Sequence, residues 1–140
     1  MAKSIFISFD WDHDKNYKFL LDAMAKNPRF SVSFDDKSST EINSDNVGRV
    51  KAALSRKIGE ATYILVIVGQ YANSLHQDHR LIGERNWINY EVQKSKELKK
   101  RLVGVKIDKS YTSPERLLNS DASWAMSFTE DAITAAIDSA

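Results

Sequence analysis

The sequence predicts an α/β protein, a three-layer sandwich in which a five-stranded parallel sheet lies between two layers of helices. The strongest indication is the apolar run at residues 62–68, which ends at Gly69 and contains no polar alternation. Such a run is typical of a strand buried on both faces at the centre of a parallel sheet. Predicted strands and helices alternate along all 140 residues, which indicates one domain of this class.

Two strands and two helices are predicted in the first half of the chain. The strands cover residues 3–9 and 30–34, and the alternation in the second is typical of a sheet edge. Asp12 or Asp14 is expected to cap the first helix, which ends at about Lys26, and the second helix covers about 45–60. The expected buried faces contain Tyr17, Leu20, Leu21 and Met24 in the first helix, and Val47, Val50, Leu54 and Ile58 in the second.

The second half continues the alternation after a polar, irregular segment at residues 70–86. A helix at about 87–100, strands at 102–107 and 123–128, and a last helix capped by Thr129 are predicted. Ile88, Val92, Ser95 and Leu98 form the expected buried face of the helix at 87–100. Right-handed crossovers then favour the flavodoxin-like strand order 2-1-3-4-5, with the switch point between strands one and three.

Composition excludes several classes of function. The chain is 42% hydrophobic and 28% charged with a net charge of +1, so no global field favours a nucleic acid or a membrane as partner. It contains no cysteine, which excludes disulfides, thiolate metal sites and a cysteine nucleophile. No apolar run approaches the roughly 20 residues of a membrane span, and a cytoplasmic location is expected.

Glu91 is the first candidate for a chemical role, because open α/β sheets bind ligands at the carboxyl ends of their strands. It follows Trp87 by four residues and Ile88 by three, so it borders the buried face of its helix. A carboxylate there could face a pocket roofed by Trp87. The alternative is a boundary glutamate that reaches water or pairs with Lys94, and spacing alone favours this alternative.

The acidic cluster Asp10, Asp12 and Asp14 directly follows the first strand. Its D-x-D spacing is that of Mg²⁺-dependent phosphatases of the haloacid dehalogenase type, and response-regulator receivers have a similar acidic pocket. A receiver, however, needs an aspartate where this chain has Gly69, and the phosphatases usually have Thr or Val where Asp14 stands. A solvated cluster that caps a helix is at least as good an interpretation.

Two weaker signals lie in loops. His76 and His79 have H-x-x-H spacing but no evident third ligand, so exposed histidines are a better interpretation than a zinc site. The segment at 35–40 is not glycine-rich and is no Walker-type phosphate loop, although Lys37 could contact a nucleotide. The lysines at 94–101 are most simply a solvated helix face.

Five short motifs occur in order along nearly the whole chain. They are IFISFD at 5–10, FSVSFDD at 30–36, IVGQYANS at 67–74, NWINYE at 86–91 and RLVGV at 101–105. Together they resemble the TIR-like family, in particular the bacterial and archaeal branch that includes the signal-producing subunit of Thoeris anti-phage defence. In this comparison NWINYE is similar to the W-x-x-x-E signature, and residues 36–45 correspond to the BB loop.

The resemblance implies that NAD⁺ is a substrate, not a cofactor, and that the nicotinamide–ribose bond is cleaved without a metal. Glu91 corresponds to the glutamate that is catalytic in NAD-cleaving members. Its carboxylate would hold the ribose hydroxyls and stabilise the oxocarbenium-like centre formed when nicotinamide departs. Contacts to the substrate are expected from Ser8, Phe9, Asp10, Trp11, Lys37, Tyr71, Asn73 and Trp87.

The Thoeris branch further implies a signalling nucleotide derived from ADP-ribose, self-association, and a separate effector protein reached through that product. Two features depart from the family pattern: the segment at 70–86 is long, and the BB loop lacks the usual Gly-Pro turn. The alternative function is a non-catalytic TIR-like interaction module. A weaker alternative is a Mg²⁺-dependent phosphatase that uses Asp10 and Asp12.

Overall fold

The computed structural model describes residues 3–27, 34–36 and 46–140. Outside these ranges lie residues 30–33 of the predicted second strand and residues 37–45 of the expected BB loop, which include Lys37. The strands are β1 (Lys3–Ser8), β2 (Phe34–Asp36), β3 (Tyr63–Val68), β4 (Arg101–Lys106) and β5 (Ser123–Ala125). The helices are α1 (Lys15–Lys26), α2 (Val47–Glu60), α3 (His79–Ile82), α4 (Trp87–Glu97) and α5 (Glu130–Ser139), with a 3-10 helix at Glu115–Leu117.

The strands form one sheet in the order β2-β1-β3-β4-β5, and every neighbouring pair is parallel. The α/β class with a parallel sheet is confirmed. Ser8 at the end of β1 is in register with Val66 of β3. From this central pair the chain continues outward in both directions, so the loops after β1 and β3 diverge and leave a crevice between them.

Side chains of alternate strand residues divide the core into two layers. On one face, Ile5, Ile7, Leu65 and Val103 pack with Leu21 of α1 and with Ile133 and Ile137 of α5. On the other face, Phe6, Ile64, Val66 and Leu102 pack with Val50, Leu54 and Ile58 of α2 and with Ile88 and Val92 of α4. Every side chain of β3 is buried, because helices cover both faces of the central strand.

Several predicted details are wrong. Leu20 is 46% exposed and Leu98 is 44% exposed. The buried stripe of α1 instead follows Tyr17, Leu21 and Met24, at i, i+4 and i+7, which turns residue 20 away from the sheet. Leu98 lies beyond the last residue of α4, where Lys99 adopts a left-handed φ of 56° and redirects the chain.

Further details of the element boundaries and helix caps can be compared with the prediction. The irregular segment at 70–86 contains the short helix α3, and β5 ends at Ala125, three residues before the predicted end. Asp14 occupies the N-cap position of α1 but makes no side-chain capping bond. The predicted Thr129 cap of α5 is confirmed, since its side chain accepts a hydrogen bond from the backbone of Ala132. No helix in the described part of the chain is long and apolar enough to cross a membrane.

Replacing Gly104 with alanine should destabilise the sheet. Gly104 of β4 is in register with Trp124 of β5, and a Cβ at Gly104 would lie 2.6 Å from Cζ3 of the indole ring. The ring must therefore move, and overpacking of this kind costs about 1–3 kcal/mol. Urea unfolding of Gly104→Ala measures the loss.

Gly59→Ala is the matched control for this experiment. Gly59 lies within α2, and a Cβ there would meet nothing within 4 Å. Alanine should therefore leave stability unchanged or raise it by up to about 1 kcal/mol, because it restricts the unfolded chain. Equal stability of the two variants would contradict the close approach of Trp124 to β4.

Candidate active site

A cleft of about 330 Å³ lies at the carboxyl ends of β1 and β3. Its walls are residues 9–13 after β1, Tyr71 and residues 74–76 after β3, and residues 86–88 at the start of α4. These segments diverge from the switch point of the sheet, which is where ligands bind in open α/β folds. The structure thus brings five predicted contact residues to one cleft: Phe9, Asp10, Trp11, Tyr71 and Trp87.

Aromatic rings give the cleft much of its apolar surface. The ring centroids of Phe9 and Trp11 are 4.8 Å apart, and those of His13 and Tyr71 are 4.1 Å apart. The latter pair joins the loop after β1 to the loop after β3. Trp87 makes an edge contact with Tyr90, with ring centroids 5.6 Å apart. Such walls suit a flat ring such as a pyridine or a purine.

Glu91 is buried beside the end of β1. Its Oε1 accepts a hydrogen bond of 2.8 Å from the hydroxyl of Ser8, and both side chains are almost wholly excluded from solvent. Ser8 shares a sheet face with Phe6, the face that α4 covers, so the strand's alternation directs its hydroxyl toward that helix. Neither residue lines the cleft. Ser8 directly precedes Phe9 of the wall, and Glu91 lies one helical turn after Trp87.

Burial raises the pKa of Glu91 to about 8, although the Ser8 hydrogen bond opposes this shift by favouring the ionised form. At neutral pH the Glu91 carboxyl in this conformation therefore carries a proton. The interpretation of Glu91 as a boundary glutamate paired with Lys94 is wrong. Lys94 instead lies 4.0 Å from the carboxylate of Glu97, on the outer face of α4.

Asn73 belongs to a polar network and does not line the cleft. Its Oδ1 accepts hydrogen bonds from the Asn89 amide and the Glu115 backbone N–H. Asn86 caps α4 by accepting from the backbone of Asn89, while its own amide donates to the carbonyls of Ala72 and Ser74. The three asparagines thus fasten the 70–86 segment to the start of α4, and sequence reasoning did not find the roles of Asn86 and Asn89.

The acidic residues after β1 differ from one another in environment. Asp10 accepts hydrogen bonds from the His13 ring and from the Asp12 backbone N–H. Asp14 is buried against Gly69, where a Cβ would collide with its carboxylate, and its Oδ2 has no hydrogen-bond partner in the described part of the chain. Burial, together with the charge of Asp10, raises the Asp14 pKa to about 6. The solvated capping interpretation is therefore wrong for Asp14.

The histidines of the 70–86 segment have separate environments. His76 lines the cleft, and its Nδ1 accepts a hydrogen bond of 2.9 Å from the Asp78 backbone N–H. His79 begins α3. Within residues 3–27 and 46–140, no group of three His, Asp or Glu side chains has the arrangement of a metal site.

One family of known proteins matches most of the chain. The family described as "Thoeris protein ThsB, TIR-like domain" matches residues 6–112. This match covers most of the chain, including the second half of β1, the residues that line the cleft and α4, and the chain belongs to this family. A search of curated proteins finds no match.

Among solved structures, the chain is similar to the TIR domains in the activated Roq1 resistosome directly recognizing the pathogen effector XopQ. The two chains are 16% identical, with a TM-score of 0.42. The similarity covers 78% of this chain and 61% of the other, so this chain spans less than two thirds of its length.

The stability of Glu91→Gln relative to the wild type should depend on pH. The folded state holds the Glu91 proton up to about pH 8, whereas the unfolded chain releases it near the ordinary pKa of 4.5. Wild-type stability relative to the variant should therefore fall as pH rises between these values, by at most about 1.4 kcal/mol per pH unit. Urea unfolding at pH 5, 6, 7 and 8 measures the difference.

The control for this titration is Glu97→Gln, which changes an exposed carboxylate of the same helix. The difference in free energy of unfolding between this variant and the wild type should stay constant across the same pH range. If Glu91→Gln also runs parallel to the wild type, the Glu91 carboxyl is not buried in its neutral form.

Proposed function

We propose that this protein cleaves the nicotinamide–ribose bond of NAD⁺ and that Glu91 is its catalytic carboxylate. The observation that carries the proposal is the position of Glu91, buried at the carboxyl end of β1 and one turn from Trp87 of the cleft. A carboxyl group with a strongly raised pKa beside an apolar cleft is typical of catalytic sites. Membership of a TIR-like family supports the proposal independently, because it rests on sequence similarity and not on the geometry of the site.

The charge of the substrate explains how a carboxyl that is neutral at pH 7 could act as an anion. The nicotinamide ring of NAD⁺ is a cation, and a positive charge near a buried carboxyl favours ionisation. The Ser8 hydroxyl already donates to Glu91 and would keep that hydrogen bond with the carboxylate. Substrate binding is thus expected to release the Glu91 proton and to create the anion that the reaction needs.

The reaction itself needs little else from the protein. Nicotinamide leaves as a neutral molecule with the electron pair of the broken bond, so it needs no proton from a general acid. The ribose carbon becomes oxocarbenium-like, and a carboxylate in a site with little water stabilises that charge strongly. In this proposal the rings of Phe9, Trp11 and Trp87 hold the flat parts of the substrate.

Beyond the bond cleaved, we propose that the ADP-ribosyl group is converted to a signalling nucleotide in anti-phage defence, where it acts through a separate effector protein. Self-association of the domain and a substrate contact from Lys37 belong to the same proposal. Its support is the Thoeris family membership.

A second candidate is a non-catalytic self-association module. The observation in its favour is the exposure of Leu75 and Leu81, which are 57% and 66% exposed on the 70–86 segment. Large apolar side chains exposed on one segment suit a protein contact. An assembled wild-type protein that binds no NAD⁺ would favour this candidate over the enzyme.

Glu91→Gln should abolish the release of nicotinamide from NAD⁺. The amide keeps the size of the side chain and can keep the Ser8 contact, but it cannot become an anion. Incubation of concentrated protein with NAD⁺, followed by chromatography of nicotinamide and the nucleotide product, gives the rate. A loss of about 100-fold or more is expected.

Glu97→Gln on the exposed face of α4 serves as the matched control and should retain wild-type activity. Unchanged nicotinamide release by Glu91→Gln would remove Glu91 from the mechanism. Absence of release from the wild type, in an assembled state, would count against the enzyme as a whole.

Ser8→Ala should move the acid side of the pH profile to higher pH. The Ser8 hydrogen bond is the contact that lowers the pKa of Glu91, so its loss raises that pKa further. The rate should fall more at pH 6 than at pH 9, as measured by kcat/KM for NAD⁺ across this range.

Ser95→Ala is the control for Ser8→Ala. The buried Ser95 hydroxyl donates a hydrogen bond of 2.6 Å to the backbone carbonyl of Glu91 instead of its carboxyl. Its removal should leave the pH profile in place. Equal shifts in the two variants would mean that Ser8 acts only through general packing.

A further inference from the structure

A histidine and a carboxylate form a dyad on the wall of the cleft that the cleavage step does not use. His13 Nδ1 lies 2.9 Å from Oδ2 of Asp10. The other oxygen of Asp10 accepts a hydrogen bond of 2.9 Å from the Asp12 backbone N–H, which fixes the carboxylate in place. An ionised carboxylate only accepts hydrogen bonds, so Nδ1 of His13 carries the proton. In the neutral ring, Nε2 is then the free base.

The position of His13 leaves that nitrogen available. The ring lines the cleft and stacks at 4.1 Å on Tyr71 from the opposite loop. Its side chain is about half exposed, and Nε2 makes no hydrogen bond within the described ranges. A carboxylate on one ring nitrogen and an open cleft at the other is the arrangement of a general base oriented by an acid.

We propose that His13 is the general base that takes the proton from the acceptor hydroxyl in the ADP-ribosyl transfer step, with Asp10 as its positioning residue. This proposal rests on the proposed cleavage of NAD⁺. It assigns the two halves of the reaction to different groups: Glu91 stabilises the cation that remains after nicotinamide leaves, and His13 activates the group that attacks it.

The atoms of this step balance without any further reagent. The bond between nicotinamide and C1′ of the ribose breaks, and its electron pair leaves with nicotinamide. A lone pair of the acceptor oxygen, from water or from a sugar hydroxyl, forms the new C1′–O bond. The proton of that hydroxyl passes to Nε2 of His13 and from there to solvent.

Other groups near His13 set its protonation but do not replace it. Asp10 raises the His13 pKa through its hydrogen bond and charge, and the charges of Asp12 and Asp14 act in the same direction. Tyr71 is the titratable side chain in ring contact with His13 from the loop after β3. His76 lines the same cleft, but its Nδ1 accepts the Asp78 N–H. Its proton therefore lies on Nε2, the nitrogen that a base would need free.

The test compares two reactions of the same cation. Exchange of labelled nicotinamide into NAD⁺ returns the leaving group and requires no base, whereas net formation of the ADP-ribosyl product requires a deprotonated acceptor. Both depend equally on Glu91, so the ratio of product formation to exchange isolates the second step. His13→Gln should lower this ratio about tenfold or more, and His76→Gln should keep the wild-type ratio whatever it does to both rates.

Asp10→Asn supplies a second readout. Removal of the negative charge lowers the His13 pKa, so the pH midpoint of the ratio should move to lower pH than in the wild type. A wild-type ratio in His13→Gln, or equal losses in His13→Gln and His76→Gln, would overturn the role of His13 while leaving NAD⁺ cleavage intact. No exchange and no product from the wild type would instead overturn the proposed function, and the role of His13 with it.

Discussion

The hydrogen bond between Ser8 and Glu91 is the interaction on which this account of the protein depends. It joins the last residue of β1 to α4 at 2.8 Å, across the junction between the sheet and the helical layer. Burying a carboxyl group away from water costs free energy unless the group is neutral or paired with a partner. This carboxyl has one hydroxyl donor and a pKa raised to about 8. The fold therefore keeps the Glu91 carboxyl buried and protonated, and a bound cation would favour its ionisation.

The surrounding structure gives this group its position. Strand alternation directs Ser8 to the face that α4 covers, and the asparagine network of Asn73, Asn86 and Asn89 fixes where α4 begins. Trp87 is consequently held at the cleft, with Glu91 one turn behind it. A buried polar network of this kind is useful only when its members are satisfied. Here each of the three side chains has at least two hydrogen bonds.

The spacing of apolar residues predicts the layers of the sandwich because it follows burial. The uninterrupted apolar run of β3 predicts a central strand buried on both faces. Spacing predicts poorly where a helix ends: Leu98 continues the apolar pattern, but the left-handed turn at Lys99 decides its exposure. The family resemblance implies site positions for Phe9, Asp10 and Trp11, and all three line the cleft because they directly follow β1. The resemblance also implies a substrate contact from Asn73, but this side chain lies in a polar network whose partners are up to 42 residues away along the chain. His13 is not among the predicted site residues, although its spacing of three from Asp10 in a tight loop indicates that the two side chains can meet.

The measurement that tests the central claim most directly is the titration of the Glu91 side-chain carboxyl by ¹³C NMR. It should be made on the free protein and again with carba-NAD⁺, which keeps the pyridinium charge but resists cleavage, with Glu91→Gln to assign the resonance. A pKa near 8 in the free protein that falls when the ligand binds is the predicted result. A pKa near the ordinary value of 4.5 in both states would contradict the account, because Glu91 would then be a solvated anion with no ionisation for a cationic substrate to drive.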